Sequence, residues 1–310
     1  KIREENTGKN QKQNLFGTSL RGSGGPDLFG YEWIDSNDPE GPGYVWNDIS
    51  TTGSLVSNWI ATSTYNALDE GKAAPFNLGF NFKYYGVQYS QIYFSSNGFI
   101  SFSDITDAGM TNAVIPGTAI PNNLIAAVWD DLDGKTTGKV YYKAESDKFI
   151  VEYKAWPGYS TSTGPFTFQI VLYKSGKIMI YYSSVAGSLT SCSVGIENQQ
   201  GNDGLQVVRN AAYLQNNLAL QFSAEPDWLA SNNYEGTIYN SNSVGIELSF
   251  NTIELELGDY SMDMEITTND PLHTSIVVPI HMTINNETPV ELVSFNAVSN
   301  EESIILNWST

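Results

Sequence analysis

FTFQIVLYKSGKIMIYY, residues 166–182, decides the fold. Phe166, Phe168, Ile170 and Leu172 recur at every second position; Lys174, Ser175 and Gly176 interrupt; Ile178, Ile180 and Tyr182 then resume the same period. A period of two marks a strand with one buried face, and a short glycine-bearing break between two such runs predicts a β-hairpin. Outward from this stretch the design repeats. KVYYKAESDKFIVEYKAW (139–156) sets Val140 and Tyr142 against Phe149, Val151 and Tyr153 across Glu145–Lys148. QIYFSSNGFISF (91–102) places a Ser-Asn-Gly turn between Ile92/Phe94 and Ile100/Phe102, and FNLGFNFKYYG (76–86) puts Phe80, Phe82 and Tyr84 on one face.

Composition agrees. The 310 residues include 18 Tyr, 14 Phe, 7 Trp and 27 Gly, and only 16% are charged. Aromatic and β-branched residues suit a pleated, half-buried surface, so successive hairpins without helical runs predict an all-β protein: a large antiparallel β-sandwich over residues 25–223. A proline-marked break at SAEPDWLAS (223–231) follows. Beyond it Tyr260/Met262/Met264/Ile266 and Ile276/Val278/Ile280/Met282 alternate, which predicts a small immunoglobulin-like β-sandwich over residues 224–286. Residues 287–310, with Ile304, Leu306 and Trp308 alternating, are expected to be a linker and the start of a truncated third domain. Residues 1–24 hold Lys1, Arg3, Lys9, Lys12 and Arg21, a third of all basic residues, with little apolar pattern, and are expected to form a flexible or extended arm.

Fifteen basic against 34 acidic residues give a formal charge of −19, which repels phosphate backbones and excludes nucleic acid as an expected partner. No window approaches 18 consecutive apolar residues, so no membrane-spanning helix is expected, and any signal peptide is expected to have been removed. Cys192 stands alone between two serines and is expected to be a small buried hydrophobe.

Several stretches carry a family resemblance. LGFNFKYYG, YFSSNGFISF, LIAAVWDDLDG, GKVYY and FIVEY, in that order, resemble the nidogen-like (NIDO) pattern of extracellular proteins. Residues 25–223 also look like a domain of secreted proteins from bacteria with type IX secretion, on GPDLFGYEWIDSNDPEGPGYVWNDIS, SVGIENQQGNDGLQV and NNLALQF. The stretch from DWLAS to IHMTI is similar to BACON and related immunoglobulin-like modules, and TPVELVSFNAVSNEESIILNWST to the opening of a fibronectin type III domain. The resemblance implies an exported protein, extracellular or at the outer cell surface. It implies no catalysis.

Candidate chemistry is sparse. The two histidines, His273 and His281, lie in the second domain and Cys192 in the first, which disfavours a histidine-dependent triad, and no HExxH or phosphate-binding loop occurs. Two carboxylate pairs, Asp130 with Glu152 and Asp131 with Glu197, are the ones to inspect for glycosidic hydrolysis, which needs a separation of roughly 5–10 Å. Calcium is the better candidate cofactor, since it takes carboxylate, amide and carbonyl oxygens from a single turn. WDDLDG offers Asp130, Asp131 and Asp133; WIDSNDPEG offers Asp35, Asn37, Asp38 and Glu40. Each has a structural alternative, a strand end capped by its aspartates in the first and an Asx-turn in the second. Trp156 and Tyr159 in KAWPGYSTSTGPF are candidates for stacking on a glycan, against the alternative of covering a sandwich edge.

The expected function is that of a non-catalytic structural or adhesion protein. Its expected partners are surface glycans, other proteins or further copies of itself, engaged through the arm and β-edges. The alternative makes these domains substrate- or glycan-binding accessories of a secreted hydrolase.

Overall fold

The computed structural model describes residues 2–3, 22–159, 163–187, 189–224, 228–231, 237–238, 243–250, 252, 255, 257–270, 272, 274–285, 294–299 and 304–309. The chain falls into two compact units, residues 8–251 and residues 1–7 with 252–310. Every strand pairing in both is antiparallel, and no helix appears among the described residues, so none crosses a membrane.

Strand β1 (Ile2–Arg3) belongs to the second unit. The first contains β2 (Ser23–Gly24), β3 (Glu32–Asp35), β4 (Ser54–Leu55), β5 (Trp59–Ala61), β6 (Gly71–Tyr84), β7 (Val87–Ser95), β8 (Phe99–Ser101) and β9 (Leu124–Trp129). It continues with β10 (Lys139–Ala144), β11 (Lys148–Trp156), β12 (Thr163–Tyr173), β13 (Ile178–Gly187), β14 (Ser193–Glu197), β15 (Gly204–Arg209) and β16 (Leu218–Ser223). These form an eight-stranded sheet in the order β2-β3-β16-β13-β12-β11-β10-β4 and a seven-stranded sheet in the order β15-β14-β9-β8-β7-β6-β5.

The deciding stretch is the β12/β13 hairpin, in which Phe168 faces Tyr182, Ile170 faces Ile180 and Leu172 faces Ile178, with Gly176 at φ +99 in its turn. β10 and β11 pair Val140 with Tyr153 and Tyr142 with Val151, as alternation predicts. Phe149, Val151, Phe168, Ile170, Ile180 and Leu220 of one sheet and Phe76, Phe82, Phe94, Ile125, Val194 and Ile196 of the other share one buried cluster, the middle of the sandwich. Each large apolar side chain so buried contributes roughly 1.5–3 kcal/mol.

The outer faces are covered as well. The segment around Tyr44, Trp46 and Ile49 lies over Ile150, Val171, Met179 and Tyr181, while Ile105 and Ile115 cover Phe99, Leu124 and Trp129. This second layer explains why FIVEY and LIAAVW are apolar at nearly every position.

Alternation puts Ile125, Ala127 and Trp129 on one face, yet Trp129 packs on the opposite side, against Phe99. The cause is a β-bulge: Ser193 pairs with Trp129 but Gly195 pairs with Ala126, and the amides of Ala127 and Val128 both donate to Gly98 O.

In the second unit, β19 (Gly258–Thr267) and β20 (Ser275–Ile284) pair in the expected phase, Met262 opposite Ile280 and Met264 opposite Val278, and β1 adds to the free edge of β19. This is a small separate sheet, with Met262 and Ile280 buried. Two two-stranded ribbons are also present, β17 (Leu229–Ser231) with β18 (Leu248–Phe250) in the first unit and β21 (Ser294–Ser299) with β22 (Ile304–Ser309) in the second. The proline break at 226, residues 4–21 of the arm and His273 lie outside the described residues.

Candidate acidic site at the Asp130–Gly134 turn

Three turns meet where β9 ends. In the first, Asn66 organises residues 66–70: its side chain accepts from Leu68 N (2.9 Å) and its carbonyl from Asp69 N (3.0 Å) and Glu70 N (2.8 Å). Ser96, in the turn between β7 and β8, clamps that segment: Gly71 N donates to Ser96 Oγ (2.9 Å), Ser96 N to Gly71 O (2.9 Å) and Ser96 Oγ to Asp69 O. The third turn, WDDLDG, is held on both sides, by Gly134 N on Leu68 O (2.8 Å) and by Tyr159 N on Asp131 O (2.9 Å).

Asn97 ties the three together. Fully buried, it donates from Nδ2 to Glu70 Oε2 (3.1 Å) and Ala108 O (3.2 Å) and accepts Leu132 N on Oδ1 (2.8 Å). The result brings one carboxylate oxygen each from Asp69, Glu70 and Asp131 within 4.8 Å of one another. Asp69 and Glu70 are buried, at 5% and 4% exposure, and Asp131 is half-buried. Glu70 Oε1 and Asp131 Oδ1 are buried without a hydrogen-bond partner. Lys135 reaches Asp69 (3.0 Å) and Asp133 (2.8 Å). Burial first, then the neighbouring carboxylates, push Glu70 up to about 7 against the hydrogen bond from Asn97, and push Asp131 up to about 6.

Of the acids read from WDDLDG, only Asp131 joins this cluster. Asp130 accepts Asp131 N (3.0 Å) and Ser191 Oγ (2.6 Å), and Asp133 accepts Lys135 N (3.1 Å). In the other stretch, Asp35 is buried with both oxygens engaged: Oδ1 accepts Asn37 N (2.9 Å) and Asp38 N (3.2 Å), while Oδ2 accepts Tyr213 OH. Asp38 accepts Glu40 N (3.0 Å) and Asn37 accepts Gln215 Nε2 (3.0 Å), so the segment is an Asx-turn closed by its own hydrogen bonds.

The paired acids considered for hydrolysis do not converge. Glu197 pairs with Leu124 at the start of β9 and Asp131 lies beyond its end, roughly 20 Å away at the rise of a strand. Glu152 belongs to the other sheet from Asp130 and accepts Ile49 N (2.9 Å) and Gln169 Nε2 (2.8 Å).

Trp156 is also corrected: it is fully buried, and its indole donates to Ser96 O (2.8 Å) and packs on Trp59 and Tyr153. A bulge between Tyr153 and Trp156, with Ala155 at φ +47, shifts the phase so that both rings turn inward. A ring without exposed surface cannot stack on a sugar. Tyr159 is 63% exposed. Cys192 is buried, and burial pushes its thiol up to about 12, with Asp130 adding to the effect. His281 is exposed, 3.7 Å from Asp259.

Sequence reasoning missed Asp69, Glu70 and Asn97. ALDEG and SSNG read as ordinary turns, and nothing local connects position 69 with position 131.

Two antiparallel sheets over an aromatic core, with their turns cross-linked by buried polar side chains, define the chain as a β-sandwich module. The family model described as NIDO related matches residues 44–241, and the chain belongs to that family. No curated protein and no solved structure matches it.

Proposed function

We propose that the chain is a non-catalytic structural module of an extracellular or cell-surface protein. Membership of the NIDO-related family across nearly the whole sandwich carries this reading. The use of buried polar groups supports it: Asp35, Asn97, Gln169 and Asn123 hold turns and covering loops in place. The finer reading adds a type IX secretion context, a BACON-like second module and the opening of a fibronectin III-like one, on the residues quoted above.

The same reading includes self-association. Ile2–Arg3 already adds as a strand to β19, and a basic arm offered to a strongly acidic body of another copy would use the same backbone pairing. Two measurements test the proposal. Protease treatment of intact producing cells should remove the sandwich epitope from immunoblots, and full protection would overturn the surface assignment. Light scattering of the full chain and of one lacking residues 1–24, at low and high salt, should show the larger species only with the arm present. Identical masses would remove the arm as the link.

A further inference from the structure

We propose that Asp69, Glu70 and Asp131 form a binding site for a hard divalent cation, calcium foremost. This inference stands apart from the reading as a structural module. The three carboxylates present one oxygen each within 4.8 Å, the span of a shared ion. Independently, Glu70 is 4% exposed, and its Oε1, like Asp131 Oδ1, is enclosed without any hydrogen-bond partner. Buried carboxylate oxygens are ordinarily satisfied, because leaving one orphaned forfeits its hydration for nothing. Here two orphans sit on two of the three carboxylates that converge.

Lys135 does not relieve them, since its ammonium is engaged by Asp69 Oδ2 and Asp133 Oδ2. Asn97 satisfies only the other oxygen of Glu70, at 3.1 Å.

The donor set selects the kind of ion. It is all oxygen, with neither imidazole nor thiolate, which suits calcium or magnesium over zinc or copper. Its geometry is fixed in advance, because Asp69 and Glu70 ride on the turn pinned by Asn66 and Ser96, and Asp131 on the turn pinned by Leu68 and Tyr159. Asp131 is half-exposed, so water can complete the six to eight oxygens that calcium takes. The competing occupant is a proton shared between Glu70 and Asp131, which would quiet the same repulsion.

The test is thermal unfolding of the full chain in mildly alkaline buffer with millimolar CaCl2, MgCl2 or chelator at matched ionic strength. The wild type should melt about 5 °C or more higher with calcium than with chelator. Glu70→Gln and Asp131→Asn should each abolish the rise, while Asp147→Asn, an exposed acid elsewhere, should keep it. Equilibrium dialysis of the wild type against CaCl2 should find one tightly held ion per chain, a readout that does not depend on the variants folding. No rise with either ion overturns the site, as does a rise that persists in both variants, or the absence of bound calcium on dialysis. Glu70→Gln raising stability in a chain that ignores both ions would assign the proton instead.

Discussion

At the scale of a residue, Asn97 links three turns through one buried side chain. Replacing it with alanine leaves Leu132 N and Glu70 Oε2 without partners, while Ala108 O keeps the hydrogen bond from Ser95 Oγ (2.7 Å). Orphaning buried groups costs about 1–3 kcal/mol each, so with two orphaned Asn97→Ala should lose about 2 kcal/mol or more, read from urea unfolding. Glu197 makes a pH-dependent case. It is 1% exposed on β14, Gly117 N donates to it at 2.8 Å, and burial raises its carboxyl from 4.5 to about 7. A raised acid holds its proton more tightly when folded, so its contribution to stability is greatest at low pH. That contribution declines as pH climbs from 4.5 to about 7, then levels off. The separation corresponds to about 3 kcal/mol. Glu197→Gln should match the wild type at the acid end of that window and exceed it at neutral pH; parallel stability curves would show that the carboxyl is not the cause. Little of this was legible in the chain. Asp131 could be singled out because three acids cluster in WDDLDG, but Asn97 was only the middle of a turn and Glu70 only a surface-looking acid.

At the scale of an element, hairpins were legible and bulges were not, for a physical reason. A hairpin writes itself locally, as two runs of period two around a turn, and β10/β11 and β12/β13 pair in the register that pattern demands. A bulge shifts the phase by one residue, and its cause lies in a neighbouring strand. Ala127 and Val128 sharing Gly98 O, and the kink at Ala155, each carry a tryptophan to a face that alternation denies it. Trp156→Ala should therefore behave as a core truncation costing about 3–5 kcal/mol, whereas Tyr159→Ala, on exposed surface, should stay within about 0.5 kcal/mol. Gly98 is the pivot of the first bulge. Its φ is +78, and an added Cβ would lie 2.0 Å from Val128 O, a backbone atom that cannot yield. At Gly176, φ is +99 with nothing within 4 Å. Gly176→Ala should cost about 1–2 kcal/mol, the strain of a left-handed residue alone, while Gly98→Ala should cost several times more or fail to fold. Equal losses in the two would show that the contact with Val128 is relieved by a shift of β9.

At the scale of the whole molecule the governing quantity is charge. With 34 acidic and 15 basic residues, few cations are spare, and several lysines are already committed: Lys72 to Asp104, Lys135 to Asp69 and Asp133, Lys143 to Glu145 and Lys154 to Asp48. Two salt effects therefore oppose each other. Screening weakens these pairs, but each keeps at least one partly exposed partner, and pairs open to solvent are worth only about 0–1 kcal/mol each. Screening also relaxes the mutual repulsion of a net charge of −19, which acts across the whole body and is damped as the Debye length shrinks from about 30 Å at 0.01 M to about 8 Å at 0.15 M. The repulsive sum should win. Raising NaCl across that range should move the urea midpoint upward, and the change should flatten once the Debye length falls below the spacing of neighbouring acids. Calcium gives a cleaner contrast. At matched ionic strength, general screening makes CaCl2 and NaCl nearly equivalent, whereas a site at Asp69, Glu70 and Asp131 adds a component that Glu70→Gln removes and NaCl never supplies. A midpoint that falls with NaCl would mean that the lysine pairs outweigh the repulsion and that the acidic balance does not limit the stability of this chain.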